Sequence, residues 1–183
     1  MVYLFLANGF EEIEAIAPTD ILRRAGVEVE TVAVEDSSDY MIEGAHGIKV
    51  KADILLSDID YNDIDAVILP GGMPGTKNLD ASADVRQVLK YCADNDRLIC
   101  AICAAPSVLG HLGLLKGRKA TCFPGFEREL HCSVFTGGAV VEDGNIITAD
   151  GPGSAVHFGE AIAARFVGID AARRVTDSMQ CRF

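Results

Sequence analysis

A chain of 183 residues with 16 basic against 27 acidic side chains, net −11, and with 49% hydrophobic and 23% charged residues has the composition of one ordinary globular domain, spanning 1–183 without a linker or repeat. The acidic excess, with no basic run longer than Arg23-Arg24 or Arg173-Arg174, argues against a nucleic-acid or anionic-membrane partner. No apolar stretch nears the roughly 20 residues needed to cross a bilayer, and six cysteines without an export signal indicate reduced thiols in a soluble, cytoplasmic protein.

The elements follow in chain order. Val2–Ala7 reads as a buried strand, followed by an amphipathic helix with Ile13, Ile16, Ala17, Ile21 and Leu22 on its apolar side and Gly26 as its stop. Pro18 predicts a kink or a fresh helix start. Val27–Val34 is the second strand. The region from Asp36 to Ser57 is irregular and predicts a hairpin or a crossover carrying His46 and Gly47. Ala66–Leu69 and Leu98–Ala101 are strands flanking a helix over Ala83–Ala93, and another helix follows Ala104. Later strands fall near Lys119–Cys122 and Asn145–Ala149. A last helix begins near Gly153 and turns Ala155, Phe158, Ile162 and Phe166 inward. Short β-rich runs alternating with helices predict an α/β fold with a parallel sheet.

Three segments close strands at the edge where an open parallel sheet binds ligands. In Ile102-Cys103-Ala104-Ala105-Pro106, a strand runs into a helix with almost no loop, so Cys103 occupies a strained corner at a helix start, where the dipole lowers a thiol pKa. By position alone, Cys103 reads equally as another packing cysteine. Cys100 belongs inside the strand, which argues against a redox or zinc C-x-x-C.

Leu69-Pro-Gly-Gly-Met-Pro-Gly75 matches no nucleotide motif. Its Gly71 and Gly72 amides suit an oxyanion, or the glycines serve a tight turn. In Gly9-Phe-Glu-Glu-Ile-Glu14, Glu11 and Glu12 read as solvent-facing dipole partners. Glu14, among apolar neighbours, suits burial with a raised pKa and a proton held beside a thiolate.

Over essentially its full length the sequence resembles the DJ-1/PfpI superfamily, in its bacterial DJ-1-like branch. Gly9-x-Glu-Glu-x-Glu14, Arg23-Arg-Ala-Gly26, Leu69-Pro-Gly-Gly72, Ala101-Ile-Cys-Ala104 and Gly151-Pro-Gly153 occur in the family's order. The resemblance implies a flavodoxin-like sandwich, usually a homodimer, with Cys103 as the elbow nucleophile, Glu14 as its hydrogen-bonding glutamate, and Gly72 with Ala104 as oxyanion donors. Peptidase members carry His after the elbow cysteine, where this chain has Ala104. Human-like members place a nearby His where this chain has Phe123. None of His46, His111, His131 or His157 is assigned a role.

The implied function is a cofactor-free, metal-free enzyme acting on small α-oxoaldehydes or their adducts in the manner of glyoxalase III or a deglycase, with Cys103 as nucleophile and Glu14 as proton shuttle. The alternative is a non-enzymatic oxidative-stress sensor or redox-regulated chaperone that uses Cys103 oxidation. A thiamine role follows only from an old family label, and no residue marks a thiazole-phosphate site.

Overall fold

The computed structural model describes residues 1–35 and 39–181. The chain opens with β1 (Val2–Leu6), enters α1 (Glu12–Arg24) and returns along β2 (Val29–Ala33). A hairpin of β3 (Met41–Glu43) and β4 (Lys49–Lys51) precedes β5 (Ile54–Leu55). Next come β6 (Ala66–Leu69), α2 (Gly75–Ala81), α3 (Ala83–Asp94), β7 (Leu98–Ile102) and α4 (Pro106–His111). The chain closes with β8 (Lys119–Ala120), β9 (Val134–Phe135), β10 (Val140–Asp143), β11 (Ile146–Ala149), α5 (Ala155–Val167) and α6 (Ile169–Ser178).

Seven strands form one sheet in the order β10-β11-β7-β6-β1-β2-β5, parallel except for β10, which runs antiparallel to β11. This is the α/β fold with a parallel sheet that the alternating pattern predicts, in the flavodoxin-like form that the resemblance implies. Side chains alternate across β1, and both sets are buried because helices cover both faces. Val2, Leu4 and Leu6 join Ile21 and Leu22 of α1 and Phe158 and Ile162 of α5. Tyr3 and Phe5 join Leu79 of α2, Val88 and Leu89 of α3 and Leu109 of α4. Sequence order reverses between β1 and β6, so the loops leaving these strands part there and open a crevice at their carboxyl ends.

Helix α1 is a single element through Pro18, not two. It stops where Gly26 adopts φ +76°: Gly26 N–H donates to Arg23 O at 3.1 Å and Val27 N–H to Leu22 O at 2.9 Å, a Schellman ending. The inward face is narrower than the apolar pattern predicts. Ile13 and Ile16 are exposed, and so is Phe166 on α5, while Ile21, Leu22, Phe158 and Ile162 are buried.

The irregular region holds the β3–β4 hairpin, with His46 and Gly47 in its turn; residues 36–38 of that expectation lie outside the described residues. The strand expected near Lys119–Cys122 leaves the main sheet and pairs with β9. His157 lies on α5, with α6 beyond it, so α5 is not the last helix. No helix among the described residues is long and apolar enough to cross a membrane.

Candidate active site

Cys103 follows directly on β7 and holds φ +65°, a left-handed conformation that side-chain-bearing residues rarely adopt. Its backbone is fixed on two sides: its N–H donates to Ala149 O at 2.9 Å, and its carbonyl accepts from Phe123 N–H at 2.8 Å. These bonds tie the elbow to the end of β11 and to the segment after β8 and hold the thiol half-buried.

Glu14 lies on the first turn of α1 and is fully buried. Its Oε2 accepts the Gly71 amide at 2.8 Å. Its Oε1 has no partner of full hydrogen-bond geometry, and the Cys103 thiol is the polar side chain acting on the carboxyl. Gly71 therefore serves Glu14 and is not free to serve an oxyanion, which corrects the sequence expectation. A side chain at Gly71 has no room: its Cβ would stand 2.7 Å from both Cys103 Cβ and Glu14 Oε2. Gly72, at φ +88°, turns the loop so that its own amide and that of Ala104 act on the Cys103 sulfur.

Burial raises the Glu14 carboxyl from 4.5 to about 7; the Cys103 thiol and the Gly71 amide oppose the rise, and the charge of Glu11 adds to it. This agrees in direction with a proton held on Glu14. Burial also pushes Cys103 up to about 12, helped by the charge of Glu14 and opposed by the Ala104 and Gly72 amides. That direction is opposite to the lowering expected from a helix start. Helix α4 begins only at Pro106 and has six residues, so its dipole has little leverage on Cys103. The two titrations are coupled. While Glu14 holds its proton, its charge no longer opposes a thiolate, and the two amides work against burial alone.

Cys100 is fully buried in β7, and burial holds its thiol well above the ordinary value. Cys92 and Cys122 are buried as well, each raised to about 12 by burial first. Cys103 differs from these in its strained elbow, its partial exposure and its carboxyl partner.

Glu12 does not face water as the sequence suggested. It is buried against the hairpin: Oε1 accepts the His46 amide at 2.8 Å, and Oε2 lies 2.8 Å from His46 Nδ1. The sequence placed His46 in an irregular stretch and carried no signal that the hairpin would fold onto α1. Glu11, Glu12 and His46 offer ligand atoms within 4.8 Å of one another, a spacing that suits a metal ion. They stand at the N-terminal end of α1, where the helix dipole disfavours a cation. His111 lies 2.9 Å from Asp80 and 3.4 Å from Glu129, with the His131 ring 6.4 Å away.

Residues 1–165 match the model of the DJ-1/PfpI family. The chain belongs to the DJ-1/PfpI family. Among its relatives is Protein DJ-1 homolog B of Arabidopsis thaliana, 37% identical over 99% of this chain. The chain spans 41% of that protein's length. The structure of oxidized Toxoplasma gondii DJ-1 superposes with a TM-score of 0.93 at 35% identity, covering 100% of this chain and 98% of that one. A cysteine-to-alanine variant of the DJ-1 superfamily protein STM1931 from Salmonella typhimurium gives the same TM-score of 0.93 at 37% identity, with 100% and 98% covered. The elbow cysteine, the buried glutamate and the paired glycines thus lie on a DJ-1 fold.

Proposed function

We propose that this DJ-1/PfpI protein converts small α-oxoaldehydes to hydroxy acids without a cofactor, using Cys103 as nucleophile and Glu14 as proton carrier. The observation that carries the reading is the buried Glu14 carboxyl, fixed by the Gly71 amide and facing the elbow thiol, with its pKa raised to about 7, where a group serves as both acid and base.

The Cys103 sulfur adds to the aldehyde carbon, a C–S bond forms, and the electrons of the C=O bond move to oxygen. The Gly72 and Ala104 amides suit this oxyanion. The proton shared by the Cys103–Glu14 pair passes to the oxyanion and leaves Glu14 as carboxylate. Glu14 then takes the proton from the attacked carbon and returns it to the neighbouring carbon, and water hydrolyses the resulting thioester. Adducts of the same aldehydes enter the same path once the C–N or C–S bond to the amine or thiol breaks, the hydroxyl proton passing to the leaving amine or thiol as the aldehyde C=O bond reforms. The test is lactate formation from methylglyoxal by purified protein, expected in the wild type, abolished in Cys103→Ala and strongly reduced in Glu14→Gln. No lactate from the wild type overturns the reading.

Peptidase activity is not proposed, because Ala104 supplies no base beside the nucleophile. The half-buried thiol favours a second reading, a sensor of peroxide, and the relative from Toxoplasma gondii is described as oxidized. We place the protein in the cytoplasm, in keeping with its free cysteines. We also propose a homodimer: Ile13 and Ile16 of α1 and Ile48 of the hairpin leave apolar surface exposed.

A further inference from the structure

The isomerisation proposed above moves two protons, and Glu14 accounts for one. The proton on carbon passes from the attacked carbon to its neighbour. A second must leave the hydroxyl of the hemithioacetal and reach the oxygen of the adjacent carbonyl, so another acid–base group beside the substrate is useful. Phe123 occupies the segment next to the elbow and cannot carry a proton.

We propose that His46 is this second carrier, with Glu12 as the residue that positions it. The inference rests on the oxoaldehyde reading. Two layers of backbone bonding link the hairpin turn to the glycine segment of the site. Gly9 N–H donates to Glu43 O and Ala45 N–H to Phe10 O, both at 2.8 Å, seating the hairpin on the loop before α1. That loop is seated in turn on the glycine segment, where Glu11 N–H donates to Gly71 O at 3.0 Å and Gly75 N–H to Gly9 O at 3.1 Å. Glu11 Oε1 lies 3.6 Å from His46 Nδ1, and the same residue's charge acts on Glu14.

Glu12 is fixed before it fixes the ring. Its Oε1 takes the amides of His46 and Ile48 at 2.8 and 3.4 Å, and its Oε2 holds His46 Nδ1 at 2.8 Å. Gly44 permits this approach, since a Cβ there would come to 2.4 Å from Glu12 Oε1. A carboxylate on Nδ1 sets the tautomer and leaves Nε2 for chemistry. The His46 side chain is 67% exposed within its own chain, so no residue of that chain covers the ring. Its hydrogen bond to Glu12, with the charges of Glu11 and Glu12, raises its pKa from the ordinary histidine value, the direction that favours the acid form.

The step balances. As Glu14 takes the carbon proton, the His46 imidazolium gives its Nε2 proton to the neighbouring carbonyl oxygen. As Glu14 returns its proton to the second carbon, neutral His46 takes the hydroxyl proton, which leaves the Cys103 thioester and restores the imidazolium.

The test compares wild type with His46→Gln, an exposed substitution that spares the core, on methylglyoxal. Lactate formation is expected to fall by about 10²-fold, with the methylglyoxal adduct still forming on Cys103 by mass spectrometry and iodoacetamide labelling unchanged. Added imidazole should restore part of the rate to His46→Ala and none to Glu14→Gln. Wild-type lactate rates in His46→Gln overturn the proposal alone, as does a loss matched by an equal loss of Cys103 labelling. A wild type that forms no lactate removes the oxoaldehyde reading and this proposal together.

Discussion

Gly71 and Glu14 share a 2.8 Å hydrogen bond across 57 positions of sequence, and that bond decides which carboxyl oxygen is left for Cys103. The site can be probed through it at several points.

Gly71→Ala forces a methyl group to within 2.7 Å of both Cys103 and Glu14. Overpacking of this kind costs about 1–3 kcal/mol. Urea unfolding should show a lower midpoint, and Cys103 labelling should slow even where the protein remains folded. A variant with wild-type stability and labelling would show that the close approach is not needed.

The raised pKa of Glu14 makes stability depend on pH with a definite sign. The folded state holds the Glu14 proton up to about 7, whereas the unfolded chain releases it near 4.5. Stability from this group is complete below pH 4.5 and declines as pH rises through 7, by up to about 3 kcal/mol. Unfolding free energies measured across this window should fall in the wild type relative to Glu14→Gln. Parallel curves for the two proteins would contradict the shift.

Cys103 should be the first of the six thiols alkylated by limiting iodoacetamide, since Cys92, Cys100 and Cys122 are buried and only Cys103 sits on an elbow. Its rate should inflect near pH 7 as Glu14 titrates, and the inflection should vanish in Glu14→Gln. Peptide mapping checks both points; preferential labelling of Cys132 or Cys181 would count against the assignment.

Mild peroxide should convert Cys103 to the sulfinic acid and not to a disulfide with Cys100, which is fully buried in β7. A protonated Glu14 stabilises the sulfinate by a charge-assisted hydrogen bond, so Glu14→Gln should reduce the product. Mass spectrometry separates a gain of two oxygens from a loss of two hydrogens.

Phe158→Ala removes a fully buried ring between α5 and the sheet. A loss of about 3–5 kcal/mol is expected from the cavity. Calorimetry would show it as a lower melting temperature without a change in the Cys103 elbow's labelling at temperatures where the variant is folded.

The sequence by itself determined the α/β class, because strand-length apolar runs alternating with helical periodicity have few other solutions. It also determined the elbow at Cys103 and the glycine pair at Gly71-Gly72, because these depend on local backbone freedom. Glu14 is buried as expected, but two of the apolar neighbours that suggested it, Ile13 and Ile16, turn outward, so its burial comes from packing against the glycine segment and the elbow. Local patterns say less about partners distant in sequence. Only the tertiary structure decided that the Gly71 amide belongs to Glu14, that Glu12 is buried beneath the hairpin and not in water, and that His46 arrives beside Glu11. It likewise turned Ile13, Ile16 and Phe166 outward and set the thiol of Cys103 under the opposing influences of burial, a carboxyl and two amides. Such outcomes depend on which surfaces meet when the sheet closes, and periodicity along the chain carries no record of that.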